Sequence, residues 1–238
     1  MTFKFLKKIA LFLFDMVDIF YHQVRIKKFF HKKKILVDIF FDVGSHMGTY
    51  TDLVLKNNPD LKAYLFEPQT DVYNKVKTKY QNKKNIKIFN LGISDQEITR
   101  EININMHDLT SSFSNFNEES KYLKFKAKLY GTTIDNMNYK KEKVKTILLD
   151  DFILNENLNS IDLIKIDTEG HELEVLKGLK KKIGIVKNIL IEFHHRDVFS
   201  DYKPSEIHDF LIHNNFELVK VFKFPFSWQD RLYSKIKN

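Results

Sequence analysis

The stretch Ile39-Phe40-Phe41-Asp42-Val43-Gly44-Ser45-His46-Met47-Gly48 decides the fold. An apolar run of strand length ends in an acid and enters a turn bracketed by two glycines. Thr49-Tyr50-Thr51-Asp52-Leu53-Val54-Leu55 then has the composition of a helix start. Strand, glycine turn and helix in this order predict the carboxyl end of a parallel-sheet strand that opens onto a ligand. Gly44 permits a tight turn, Gly48 permits close backbone approach, and the helix start offers unpaired N–H groups. About 25 residues on, Leu65-Phe66-Glu67 ends a second apolar run with a carboxylate, near the offset of a ribose-binding acid. The pair predicts a nucleoside-containing cofactor.

Outward from this unit the chain alternates as a βαβ protein does. Strands are predicted over 35–42, 61–67, 86–91, 161–167, 186–193 and 216–222. Helices are predicted over 49–56, 71–81, 171–181 and 204–214, the last opened by Pro204 at a position suited to a first turn. Between 94 and 146 the helical period fails. Residues 100–105 and 125–133 alternate like strands, so a β-rich insert on the substrate side is expected there. No internal repeat is visible.

Composition narrows the class. A chain of 238 residues with 43% hydrophobic and 29% charged side chains is long enough for one full core and folds as a globular domain. The absence of cysteine excludes disulfides, thiolate metal sites and a cysteine nucleophile, and suits a cytoplasmic setting. The net charge of +8 is concentrated at one end. Residues 1–34 carry nine Lys/Arg against Asp15 and Asp18, which leaves the remainder near +1. A nucleic-acid partner is therefore not expected, because a phosphate-tracking surface would carry the charge around the site.

The arm, 1–34, lacks Pro and Gly and is predicted to be an amphipathic helix, with the domain proper over 35–238. At ~100° per residue, Lys4, Lys7, Lys8, Asp15, Asp18, His22 and Arg25 fall on one stripe, opposite Phe5, Ile9, Phe12, Leu13, Met16, Ile19, Phe20 and Val24. Its longest apolar run, 9–14, is far below the ~20 residues that span a bilayer. Two roles are open: packing on the domain, or peripheral contact with anionic lipid through the apolar face and the Lys/Arg clusters.

A second segment sharpens the cofactor. Asp162-Leu163-Ile164-Lys165-Ile166-Asp167-Thr168-Glu169-Gly170-His171-Glu172 joins a strand to a cluster of acids at a turn and helix start. In an open α/β sheet Asp42, Glu67 and Asp167 should meet on one rim. These segments, with Phe66-Glu67-Pro68, Leu91-Gly92-Ile93-Ser94-Asp95, Leu149-Asp150-Asp151 and Ile191-Glu192-Phe193-His194 in the same order, resemble the FkbM family of S-adenosylmethionine-dependent methyltransferases. The resemblance covers about 35–195. It implies a Rossmann-like class I methyltransferase fold, mostly parallel and seven-stranded with one antiparallel strand near an edge. It also implies S-adenosylmethionine as cofactor and O-methylation of a hydroxyl on a saccharide or glycan precursor. The turn Asp42, Gly44, Ser45, His46, Gly48 would hold the methionine portion and Glu67 the ribose. Ser94 and Asp95 would lie near the adenine, and Asp167 would face the methyl group. Ser45-His46 stands where the family more often has Ala-Asn, and the seventh strand is poorly marked in the aromatic tail.

Methyl transfer is an in-line displacement in which the cofactor supplies the activated carbon, so the protein aligns the acceptor and excludes water. A sugar hydroxyl also needs a base. Asp167, His171 and His194 are the candidates, with His195 a weaker neighbour. Asp167, Glu169, Glu172 and Glu192 could instead bind a divalent cation such as Mg²⁺. Thr110-Ser111-Ser112-Phe113 opens the insert and is either a contact to cofactor or substrate or an ordinary polar loop. A catalytically idle scaffold of the same fold and an NAD-dependent oxidoreductase are the competing readings. The intact acidic set argues against the first, and the 165–172 segment has no role in the second.

Overall fold

Strand β1 (Ile39–Val43) is the axis of the molecule, because its side chains are buried on both faces. Phe41 and Val43 join one hydrophobic cluster and Phe40 joins the other. The same parity runs through the neighbours: Ile164 and Ile191 lie on the first side, Leu163 and Leu190 on the second. A strand covered by helices on both faces needs this near-continuous apolar run. Each fully buried Leu or Phe contributes about 1.5–3 kcal/mol.

The computed structural model describes residues 22–33, 35–105, 111–194, 197–223 and 228–236. In chain order the elements are α1 (Val24–Lys33), β1, α2 (Thr49–Leu55), β2 (Lys62–Phe66), α3 (Thr70–Lys79), β3 (Ile86–Phe89), β4 (Gly92–Ile93), β5 (Thr99–Asn105), α4 (Lys121–Tyr130) and β6 (Asn138–Ile147). They continue with α5 (Leu149–Asn155), β7 (Leu163–Ile166), α6 (Glu172–Lys177), β8 (Asn188–His194), α7 (Pro204–His213), β9 (Phe216–Lys223) and β10 (Trp228–Lys235). Seven strands form one sheet in the order β3-β2-β1-β7-β8-β10-β9. All its pairings are parallel except those of β10, which runs antiparallel to both β8 and β9. This is the expected class I order, and the weakly marked seventh strand is β10. A three-stranded sheet, β4-β6-β5, sits beside it.

Three expectations are corrected. The predicted strand at 125–133 is instead helix α4. Its period-two alternation of Lys with apolar residues misleads, because the buried residues are Leu123 and Ala127, one helical turn apart, while Phe125 is 67% exposed. Ser120 caps the helix by accepting from Leu123 N at 3.1 Å, and Gly131 ends it with φ 67°. Strand 100–105, by contrast, is present as β5. The second correction shortens the helix predicted at 171–181. It stops at Lys177, where Gly178 lies against the Ser94 carbonyl, and a 3₁₀ stretch (Lys180–Ile185) follows.

The third correction concerns the arm. His22, assigned to the charged stripe, is fully buried, with Nε2 2.9 Å from Asp230 Oδ2. Ile26 and Phe30 are buried in the core, Phe29 meets Phe222 edge-on, and Arg25 donates to the Lys223 carbonyl. The described part of the arm therefore packs on β9 and β10. Residues 1–21 lie outside the described residues, as does His195. Among the described residues no helix is long and apolar enough to cross a membrane.

Candidate active site

On one face of the sheet, each central strand exchanges its apolar residues for charged ones toward the same rim. Phe40 is followed by Asp42, Leu163 by Lys165 and Asp167, and Leu190 by Glu192 and His194. On the antiparallel strand Leu232 is preceded by Asp230. Residues two apart on a strand share a face, so this pattern gathers the ionisable groups at the carboxyl ends, where parallel sheets bind ligands.

A cleft opens there, holding about 870 Å³ of non-protein space with its mouth included, inside the ~300–1,000 Å³ range of small-molecule sites. Its near wall is the turn after β1. Gly44 (φ 74°), His46 (φ 44°) and Gly48 (φ 70°) all take the left-handed conformation. A Cβ on Gly44 would overlap the Asp167 carbonyl, so glycine alone lets the turns after β1 and β7 touch. Ser45 is 5% exposed, lines the cleft, and its Oγ has no hydrogen-bond partner. Glu67 is buried at the end of β2. Its Oε2 accepts from His46 N and its Oε1 from Gln69 N, both at 2.9 Å. An orphaned hydroxyl and a carboxylate lining one cleft fit the amino-acid and ribose ends of S-adenosylmethionine.

Of the predicted cofactor residues, Gly44, Ser45, His46, Glu67 and Asp167 line this cleft, together with Thr168 and Glu169. Four expected contacts, Asp42, Gly48, Ser94 and Asp95, lie elsewhere. Asp42 sits deeper, accepting from Thr51 Oγ1 at 2.6 Å, and thereby ties β1 to α2. Burial raises its carboxyl to about 6 against the lowering pull of Thr51 and Lys165. Gly48 packs on Tyr80, whose hydroxyl donates to its carbonyl. Ser94 is buried behind the wall made by Leu91, Gly92 and Ile93, and Asp95 lines a second, polar cleft.

His171 faces that second cleft. Its Nε2 lies 3.0 Å from Ser94 Oγ and accepts from Arg100 at 3.5 Å. Burial, then the Arg100 charge, depresses it to about 3. Phe113 is the wall common to both clefts.

His194 is differently placed. It is 8% exposed, and its Nε2 stands 3.1 Å from Glu192 Oε2, 3.6 Å from Glu169 Oε2 and 4.0 Å from Glu172 Oε1. The turn that brings Glu169 here is strained, with φ 54° at Glu169 and 96° at Gly170. Ser112 and Ser114 hold it by donating to the Glu169 and Gly170 carbonyls. Burial pushes Glu169 and Glu192 well above the usual carboxylate range; His194 opposes this at Glu169, and Asp167 reinforces it at Glu192. The Glu172 Oε1 is committed to the turn, accepting from Thr168 N, Thr168 Oγ1 and Gly170 N.

Several site residues escaped the sequence reading. Lys165 is buried, 3.1 Å from Asp167 Oδ2 and 3.5 Å from Asp230 Oδ1, and lies over the Tyr50 ring. Burial alone would lower it, but the two carboxylates hold it above its ordinary value. Asp230 also takes the Tyr50 hydroxyl and His22. Despite burial, Lys165 and His22 bring it to about 2. An alternating chain, His22–Asp230–Lys165–Asp167, thus runs from the arm to the cleft, which Gln23 also lines. No local pattern marks these residues. The recoverable signal was the period-two step from Glu192 to His194.

This sheet order and cleft define a class I S-adenosylmethionine-dependent methyltransferase. The magnesium protoporphyrin IX methyltransferase ChlM of Synechocystis PCC 6803, solved with bound SAM, shares the fold at a TM-score of 0.50, with 8% identity over 90% of this chain and 78% of that one. The chain belongs to the FkbM methyltransferase family, whose domain matches residues 42–218. Among curated proteins it is 25% identical over 157 residues to the hexuronic acid methyltransferase AglP of Haloferax volcanii, covering 66% of this chain and 56% of that one. It is also 25% identical over 199 residues to the 2-O-methyltransferase NoeI of Sinorhizobium fredii NGR234, covering 77% and 74%. The chain thus spans little more than half the length of AglP.

Proposed function

We propose that this methyltransferase transfers the methyl group of S-adenosylmethionine to a hydroxyl oxygen of a saccharide or glycan precursor. The observation that carries the reading is the buried Glu169–Glu192–His194 cluster. It borders the cofactor cleft through Glu169 and gives the proton of a weakly acidic hydroxyl somewhere to go. The names of the two curated relatives, one acting on hexuronic acid and one a 2-O-methyltransferase, agree with a sugar acceptor.

In this reading the bound cofactor supplies the activated methyl carbon, and the chain does the rest. The Ser45 hydroxyl, unpartnered in the cleft, holds the methionine end, and Glu67 accepts from the ribose hydroxyls. Leu91, Gly92 and Ile93 form the adenine wall in place of the Ser94 and Asp95 side chains. Asp167, held by Lys165, borders the reacting carbon. The acceptor enters past Phe113 and presents its hydroxyl to the cluster, so His194 rather than His171 serves proton removal. His171 has its Nε2 lone pair committed to Arg100 and Ser94.

The test is mass spectrometry of a panel of mono- and oligosaccharide acceptors incubated with enzyme and S-adenosylmethionine. A mass gain of one methyl on a hydroxyl is expected, with His194→Ala reducing kcat by roughly 10²–10⁴ and leaving cofactor affinity nearly intact. Transfer to nitrogen or carbon acceptors only, or full turnover by His194→Ala, would refute the assignment.

A further inference from the structure

We infer that Glu169, Glu192 and His194 form a binding site for one divalent transition-metal ion of the Mn²⁺ or Zn²⁺ type, set against the cofactor cleft. The inference deepens the reading above by naming what the cluster holds. Geometry is the first support. One ligand atom from each of the three residues lies within 4.8 Å of the others. His194 Nε2 is 3.1 Å from Glu192 Oε2 and 3.6 Å from Glu169 Oε2. Ligands about 2.1 Å from an ion are separated by about 3.0 Å across an octahedral edge and about 3.4 Å across a tetrahedral one. The two measured edges are close to those values.

A second, independent observation points to a ligand. His194 is more than nine-tenths buried and its Nε2 is aimed into the carboxylates, yet that nitrogen makes no aligned hydrogen bond. A buried imidazole nitrogen without a hydrogen-bond partner is costly. Donation of its lone pair to a metal removes that cost.

The arrangement also selects among the acids that the sequence offered. Glu172 Oε1 is taken by three donors of its own turn, and Asp167 Oδ2 is paired with Lys165. Glu172 Oε2 is left unpartnered, but the ligand atoms that come within 4.8 Å of one another are those of Glu169, Glu192 and His194. One imidazole and two carboxylates suit Mn²⁺ or Zn²⁺, whereas Mg²⁺ and Ca²⁺ favour oxygen-only sets. The Mg²⁺ expected from the acidic residues is thereby displaced. Glu169 lines the cleft, so an open coordination position would meet the acceptor oxygen there. On such a site His194, as a ligand, acts through the ion instead of taking the proton itself: the acceptor O–H bond breaks with its proton passing to Asp167. The O–C bond then forms as the S–C bond breaks, with the electron pair left on sulfur. Lys126, half-buried, is the competing cation that interacts with Glu169 and Glu192.

The experiment uses the full chain, stripped with chelator and titrated with MnCl₂ and ZnCl₂ by calorimetry, without cofactor or acceptor. One equivalent should bind, with Mg²⁺ at least about tenfold weaker. Bound Mn²⁺ should show imidazole nitrogen coupling in its electron spin-echo spectrum. His194→Gln should abolish that coupling, and Glu192→Gln should weaken binding by roughly 10–100-fold or more, both variants still binding S-adenosylmethionine. Absence of Mn²⁺ and Zn²⁺ binding by the folded wild type, with Lys126 then supplying the compensating charge, would overturn the inference. So would unchanged affinity and nitrogen coupling in His194→Gln. If that variant does not fold, Glu192→Gln decides by affinity alone. A silent acceptor panel would leave the ion site standing, and failure to bind metal would leave the methyl-transfer reading standing.

Discussion

Two neighbouring turns border the cofactor cleft, one after β1 and one after β7, and they do opposite work. The first, 43–48, presents the unpartnered Ser45 hydroxyl, while its N–H groups at Gly44, Ser45, His46 and Gly48 are taken by Phe66, Glu67 and Ser45; its acid, Asp42, is withdrawn and tied to Thr51. The second, 167–171, presents carboxylates, and its N–H groups at Thr168 and Gly170 are consumed by Glu172. Adjacent parallel strands with the same left-handed kinks therefore make one wall that offers a hydroxyl and one wall lined by acids. The difference lies in which side chain caps the turn. The first wall suits a zwitterionic, hydroxyl-bearing cofactor, and the second a group that must lose a proton or gain a cation.

The comparison breaks most completely at Gly44, where the two turns touch. Gly44→Ala adds a Cβ that overlaps the Asp167 carbonyl on a backbone with φ 74°. The cost should exceed about 4 kcal/mol. Urea denaturation should show a large drop in midpoint, and calorimetry should show no cofactor binding; a variant of normal stability would mean the walls are independent.

Next in size is the support of the acidic wall. Asp230→Ala leaves Lys165 and His22 without a carboxylate they share in the core, a change worth about 3–5 kcal/mol for a buried charge. Because Asp167 depends on Lys165, kcat should fall beyond what the lost stability explains, while the 43–48 turn keeps its cofactor affinity. Equal losses in kcat and affinity would show that the walls are not separable.

The smallest effect is on pH. His171 behind the acidic wall is held to about 3, well below its unfolded value of ~6.5. Below pH 6.5 the unfolded chain takes up a proton that the folded one refuses, so stability falls with falling pH. The loss is about 2–3 kcal/mol by pH 4.5. Asp42, raised to about 6, acts in the opposite sense over part of this range, because the folded form binds the extra proton. His171→Gln should flatten the acid side of the melting-temperature profile. An unchanged profile would remove His171 as its cause.

The first wall was legible in the sequence because it is local: strand, glycines and helix start lie within ten residues, and Glu67 follows at a fixed offset. The second was legible only as a list of acids. Which of them meet depends on the register of β7 against β8 and on the strained turn at Glu169. Glu192 and His194 could have been paired by their two-residue spacing, whereas no spacing relates His22 to Asp230, 208 residues away. The helix at Lys121–Tyr130 was misread because alternating lysines imitate a strand when the buried face is unknown.

Strand β10 has a consequence for the timing of assembly. It follows β9 in sequence and is the last strand among the described residues, yet it is inserted between β8 and β9, and its Asp230 anchors both Lys165 and the arm. Synthesis proceeds from the N-terminus, and domains settle as their parts emerge. The cofactor wall around Gly44 and Glu67 can form early on the ribosome, from β1 to β3. The acidic wall cannot be fixed until residue 230 has left the exit tunnel and met residue 22. A nascent chain can therefore shape its Gly44–Glu67 wall well before the acidic wall that completes the cleft.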